Sequence, residues 1–305
     1  MMKQIIIATL ILSVIPSVAS AQPLEKDTIR LFFLGGQSNM EGHGSNAELP
    51  DSLNKAFHNV WIFQGNPSPD EDENGGLGKW AVLTPGQGAG FLSDGHQNQL
   101  SDKFGIELSF ANKLQALYLN EKIALIKYAR GGSSLDSLAA RDYGSWEMDY
   151  RGHNGLNQFD HFQATIKEAL NSSDIDQNGI EDLLLPCGII WMQGESDAVF
   201  NEEIAYRYYA NLKRLMDLIR ASFHDDDLPV VVGKISDSGN AMDGKVWKYG
   251  ELIQYAQEKY VRTDHRAAIV RDTQYYHYSD PWHYDSDGYI RLGEKFAEAI
   301  YHLIK

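Results

Sequence analysis

Short runs of consecutive apolar residues alternate along this chain with longer segments in which apolar residues recur at every third or fourth position. Residues 29–34, 60–63, 123–126, 188–192, 229–235 and 267–270 form the runs, and each has strand length. Between them, Ile106, Phe110, Leu114 and Leu117 recur at helical spacing, as do Phe159, Phe162, Ile166 and Leu170. A longer series joins Ile204, Tyr208, Leu212, Leu215 and Ile219; a further helix is expected over 246–260 and a closing helix from about Tyr289. Strands that are apolar on both faces must be covered on both faces. With right-handed crossovers the expectation is an α/β fold, a three-layer α/β/α sandwich around a central parallel sheet. Reactive groups in such sheets stand beyond the carboxyl ends of the strands, so each motif below is weighed by whether it follows a strand.

The first residues stand apart from this rhythm. Lys3 gives a basic start, residues 5–18 are mostly apolar, and Ala19-Ser20-Ala21 has the small residues after which a signal peptidase cuts. Residues 1–21 are expected to be a signal peptide, since the apolar run is short for a bilayer span and Pro16 interrupts it. Residues 22–305 then form one domain, exported to a bacterial periplasm or exterior, with no membrane attachment after cleavage. The formal charge of −15 repels phosphate backbones and anionic lipid, which argues against nucleic acid as a partner and suits a neutral substrate. Cys187 is the single cysteine; it has no intramolecular disulfide partner and reads as a small core residue. Two stretches lack periodic structure, 64–103 and 136–155, and both are long enough to be functional loops.

Gly35-Gly36-Gln37-Ser38-Asn39-Met40 follows the first run directly. Glycines there permit a tight turn, which places Ser38 either as a nucleophile with its N–H toward an oxyanion or as an ordinary helix N-cap. A serine needs a base. Asp280-Pro281-Trp282-His283 supplies His283, with Asp280 spaced to reach Nδ1–H and leave Nε2 for Ser38. Trp191-Met192-Gln193-Gly194-Glu195-Ser196-Asp197 also ends a strand; an amide N–H of Gln193 suits an oxyanion, while Glu195 and Asp197 order the loop, bind a sugar hydroxyl or cap the helix near Asn201. Arg130-Gly131-Gly132-Ser133 follows the 123–128 strand and offers backbone N–H groups to the same oxyanion. Trp80, Tyr143 and Trp146 are candidate sugar-stacking rings.

Together these motifs resemble the SGNH hydrolase superfamily, and within it the sialate O-acetylesterase type domain and the acetylxylan esterases of carbohydrate esterase family six. Gly36-Gln37-Ser38-Asn39-Met40, Gly105-Ile106-Glu107, Arg130-Gly131-Gly132-Ser133, residues 191–197 and residues 280–283 carry the resemblance, nearly end to end. It implies a flavodoxin-like sandwich and hydrolysis of O-acetyl groups from carbohydrates, of the acetylxylan or O-acetyl sialic acid type, through an acetyl-enzyme and without a required cofactor. It also implies Ser38 as nucleophile, Asp280 and His283 as its partners, and oxyanion donors from Ser38, the Gly131–Gly132 pair and Gln193. Gln37, Asn39, Glu195 and Arg130 are left to bind substrate or order loops, and Glu107 is implied to be structural. The superfamily's usual oxyanion asparagine block is here Gln193-Gly194-Glu195, the form of the carbohydrate-acting branch.

Asp174, Asp176, Asn178 and Asp182, with Gly179 at the sixth position, follow the calcium-loop pattern. Leu185 stands where that pattern requires a bidentate glutamate, so a structural calcium competes with a plain acidic surface loop. Two rival functions are a general short-chain carboxylesterase of the same fold and a carbohydrate-binding protein without catalysis. The joint presence of Ser38, Asp280 and His283 weighs against the latter.

Overall fold

Neighbouring side chains on a strand point to opposite faces. Phe32 packs edge-on against Phe110 at a centroid distance of 5.6 Å, whereas Phe33 packs against Phe162 at 4.9 Å. Both are buried, so strand β1 (Asp27–Gly36) is covered on both sides. The computed structural model describes Met1 and residues 26–305, and in it β1 is the middle strand of seven. The others are β2 (Val60–Gln64), β3 (Trp80–Val82), β4 (Lys122–Ala129), β5 (Asp182–Met192), β6 (Val230–Gly233) and β7 (Ala267–Val270). They lie in the order β7-β6-β5-β1-β4-β2-β3, parallel except for β3, which is antiparallel to β2 at the edge.

Among the described residues six α-helices complete the layers: α1 (Ser38–Glu41), α2 (Glu107–Leu117), α3 (Gln158–Leu170), α4 (Glu202–Ser222), α5 (Gly250–Thr263) and α6 (Ser286–Ile304). The α2 and α6 helices pack together on the Phe32 side, and α3 lies on the Phe33 side, bonded through Gln163 to Ser222 at the end of α4. The expected three-layer sandwich is the observed fold.

Several details depart from the sequence reading. The 64–103 stretch contains β3 and a short antiparallel pair, 92–93 with 98–99, which its Gly, Asn and Pro content conceals. The α5 helix starts at Gly250 rather than 246 because the N–H groups of Val246 and Trp247 donate to the Asp237 carboxylate, holding those residues in a loop. The α6 helix starts earlier than expected, at Ser286, because Asp285 caps it by accepting from the Gly288 N–H at 2.8 Å. Cys187 is buried, as expected, and sits in a bulge: Leu31 pairs with Pro186 and Phe32 with Gly188. The expected leader lies outside the described residues. Among the described residues no helix is long and apolar enough to cross a membrane.

Register places the chemistry. Gly36 at the end of β1 pairs with Ala129 of β4 on one side and Met192 of β5 on the other. The chain fills one half of the sheet, returns beside β1 as β4, then crosses to the other side as β5. That reversal opens a crevice beyond three level strand ends, where α/β sheets bind their ligands.

Candidate active site

At Gly36 the backbone has φ +148°, and a Cβ there would lie 1.9 Å from the Met192 carbonyl oxygen, so only glycine fits the turn out of β1. The Gln37 N–H donates to that same carbonyl. One helical turn follows, α1, with Ser38 as its first residue and Gln37 as its N-cap, so the N-cap alternative for Ser38 does not hold. The Gln37 side chain does not cap the turn. Its Oε1 accepts from the N–H groups of Gly194 and Ser196 and from Gln193 Nε2, tying the β1 loop to the β5 loop.

Asn39 performs a matching task toward the β5 loop and the 280–283 loop. Its Nδ2 donates to Glu195 Oε1 at 2.8 Å and to the Trp282 carbonyl at 3.2 Å, and its Oδ1 accepts from Tyr289 OH at 2.8 Å. Gln37, Asn39 and Glu195 are all buried, so these three order loops. Asp197 does likewise. Its carboxylate accepts from the N–H groups of Leu135 and Asp136 and from Gln193 Nε2. Neither Glu195 nor Asp197 caps the next helix, because Asn201 does so, accepting from the Ile204 N–H.

The loop after β7 carries Asp280 and His283. Asp280 Oδ2 lies 2.7 Å from His283 Nδ1, and Oδ1 accepts the N–H groups of Trp282 and His283 at 2.7 and 2.8 Å. Burial on its own would raise the Asp280 carboxyl. These hydrogen bonds outweigh it and hold the group below the usual range. Ser38 and His283 line one cavity of about 510 Å³ together with Arg130, Gly131 and Gly132. Among the described residues no hydrogen bond joins the Ser38 hydroxyl to His283; in enzymes awaiting substrate that bond is commonly long.

Residues 28–302 match the family model for carbohydrate esterase, sialic acid-specific acetylesterase. The chain belongs to that family. It is a carbohydrate O-acetylesterase, and the family is one of those read from its strand-end motifs. No curated protein matches the chain by sequence. Among solved structures, an Arabidopsis thaliana protein aligns with a TM-score of 0.60 at 20% identity, over 90% of this chain and 99% of the other. A carbohydrate acetylesterase from Xanthomonas citri, XAC1771, aligns with a TM-score of 0.57 at 17% identity, over 90% of this chain and 56% of its own. NanS aligns with a TM-score of 0.54 at 14% identity, over 92% and 98%. At such identities the likeness is one of fold.

Two donors expected for the oxyanion are already committed in the esterase. Gln193 is fully buried, and its amide donates to Asp197, Gln37 and the Ser133 carbonyl. The Gly131 N–H donates to Glu41 Oε2 at 2.7 Å. Burial pushes the Glu41 carboxyl up, while Arg130, the Gly131 N–H and Lys127 pull it down. The N–H groups of Ser38 and Gly132 have no acceptor among the described residues, and both residues line the cavity. Gly132 has φ +77°, and a Cβ there would lie 2.4 Å from the Tyr143 ring, so this loop too requires glycine.

Of the three rings picked for stacking, only Tyr143 reaches the cavity of the esterase. Trp146 is buried, with its indole N–H on Ser133 Oγ, and Trp80 lies on the edge strand β3 with its N–H on the Ala169 carbonyl. Trp247 and Trp282 line the cavity instead. Trp282 was readable, being adjacent to His283; Trp247 was concealed by an apparent helix. Arg141, Glu41 and His43 also line the cavity without having been singled out.

The 136–155 stretch is pinned to the 64–103 stretch. Asp70 accepts from the Ser145 N–H at 3.1 Å and from the Gln158 amide at 2.6 Å. None of the calcium-loop residues lines this cavity. Asp174 accepts the N–H groups of Asn178 and Gly179, and Asp182 accepts that of Ile175. Asp176 and Asp27 share the Lys122 ammonium, at 2.5 Å each, so the cluster already holds a cation belonging to the chain.

Proposed function

We propose that the esterase removes O-acetyl groups from an acidic sugar, with Ser38 as nucleophile and His283 as its base. The observation that carries this reading is the shared cavity: the serine, a histidine oriented by a carboxylate, and two arginines line it together. Arg130 and Arg141 form no ion pair among the described residues, and Arg130 Nε is buried without a hydrogen-bond partner. Two unpaired guanidinium groups in the cleft of a chain with net charge −15 favour a substrate carboxylate, against the neutral substrate that overall charge suggested. Arg141 also lies over the rings of Tyr143 and Phe200, at 4.9 and 5.2 Å, which fixes its head at the cavity.

In the reaction, His283 Nε2 takes the Ser38 proton as Oγ attacks the acetyl carbonyl. The N–H groups of Ser38 and Gly132 hold the oxyanion, and Asp280 steadies the imidazolium. The imidazolium then protonates the departing sugar oxygen. Water, deprotonated by His283, next attacks the acetyl-enzyme, releasing acetate and restoring Ser38. We also propose that the esterase is exported, on the strength of the leader-like residues 1–21.

Acetate release measured on O-acetylated sialic acid and on acetylated xylo-oligosaccharides tests the substrate. The expected kcat/KM is at least about tenfold higher for the acidic sugar, and Arg141→Ala should raise KM for it alone. Preference for the neutral glycan would defeat the acidic-sugar reading. Equal rates on nitrophenyl esters of long and short chains, without sugar activity, would favour a general carboxylesterase. Ser38→Ala should abolish turnover while leaving the fold intact.

A further inference from the structure

The ring of His43 lies flat against the ring of His283, with centroids 3.7 Å apart and planes 8° from parallel. The catalytic reading above assigns His43 no task, and the present inference rests on that reading. Asp280 fixes only one atom of the His283 imidazole, Nδ1. A ring held at one in-plane atom still rocks about its Cβ–Cγ bond, and rocking sweeps Nε2 across the serine. A second flat ring at van der Waals distance removes that freedom.

The backbone makes this contact specific. His43 follows Ser38 by five residues, across the single turn of α1 and Gly42. Gly42 has φ +100°, and a Cβ there would lie 2.2 Å from Gly105 Cα, so the chain must double back at this glycine. Gly42 N–H in turn donates to the Ser38 carbonyl at 2.8 Å. Serine and ring therefore travel as one rigid unit, while the histidine they meet comes from a loop some 240 residues further on.

We propose that His43 is a positioning residue, whose ring face sets the plane of the His283 imidazole and so aims Nε2 at Ser38. The contact is also electrostatically safe. Burial, then the neighbouring His283 and Lys103, depress His43 to about 3, with Asp280 opposing, so His43 stays neutral while His283 gains a proton. Around His283 the ionisable groups are Asp280 on its own loop, Glu41 from α1, Glu195 from the β5 loop and His43 itself. None of the others offers a ring face.

The test compares His43→Phe, which keeps a flat ring, with His43→Leu and His43→Gln, which keep bulk without one, all in the full-length esterase. The phenylalanine variant should retain kcat within about threefold, and the other two should lose about tenfold in kcat with KM little changed, since misaiming costs rate and spares binding. The acid limb of the kcat/KM profile should stay in place in His43→Phe. Two non-aromatic variants keep the test alive should one fail to fold. Wild-type kcat in either of them overturns the proposal, as does a folded His43→Phe variant impaired as badly as they are. Ser38→Ala and His283→Ala run alongside: turnover surviving in those two sinks the catalytic reading itself, whereas their inactivity beside a normal His43→Leu sinks only the role of His43.

Discussion

Single side chains in this esterase are placed by what they accept. Asp280 takes three N–H groups, one from the imidazole it orients. Replacing it with asparagine puts an amide donor opposite Nδ1 and favours the wrong tautomer. Asp280→Asn should lower kcat by about 10³–10⁴-fold with the fold retained, which steady-state kinetics and circular dichroism would check together. Asp197 presents a different case, since both of its oxygens face donors, from the loop after β4 and from Gln193 of its own loop. An asparagine there turns its NH2 toward an N–H, so Asp197→Asn should cost about 1–3 kcal/mol in urea unfolding. It should also reduce activity, because residues 133–136 and Gln193 lose their common anchor.

At the scale of elements, the short α1 turn rests on a buried ion pair. Lys127 of β4 donates to Glu107 Oε2 at 2.8 Å, to the Gln87 carbonyl at 2.7 Å and to the Glu41 carbonyl at 2.9 Å, with both charged groups sealed from solvent. Removing one partner strands a buried charge, so Lys127→Met should destabilise by about 3–5 kcal/mol. Lys127→Met combined with Glu107→Leu should cost less than Lys127→Met alone, and the comparison of melting temperatures would show it. Elements of this kind were legible wherever the cause is local. The strands around Phe32, Leu125 and Ile190 are continuous apolar runs, and the helix repeats follow the helical period, so both were read directly. Edge strand β3 was not, because three residues among glycines and asparagines carry no period. The start of α5 was misplaced because it depends on a distant acceptor, Asp237. In the same way the four motif loops announced that residues gather at the strand ends, while the allocation of donors did not show. Whether Gly131 or Gly132 keeps a free N–H depends on where the Glu41 carboxyl falls, and that is a tertiary fact.

For the whole molecule, two histidines, part-buried His43 and fully buried His161, weaken the fold in acid. Burial holds His43 at about 3, and burial also lowers His161, whose Nδ1 meets the Tyr128 hydroxyl at 3.1 Å. The unfolded chain takes up these protons below the usual value of 6.5, and the folded one does not. The contribution of His43 to stability is therefore complete above about pH 6.5 and is lost progressively as pH falls toward 3, and that of His161 is lost in the same direction. Glu41 and Glu195 act in the other direction, since burial raises both and their ionisation opposes folding as pH climbs above 4.5. His43→Phe should accordingly melt higher relative to wild type at pH 5 than at pH 8, by differential scanning calorimetry at the two values. The level ends of the three central strands have one last consequence. Because Gly36, Ala129 and Met192 are aligned by backbone pairing alone, the hydrolytic apparatus is mounted on the sheet, and the segments that meet the sugar hang beside it. Exchanging Arg141 and Tyr143 in the 136–155 stretch, with Asp136 and Trp146 kept, would thus retune which glycan is chosen while leaving intact how its ester is cut.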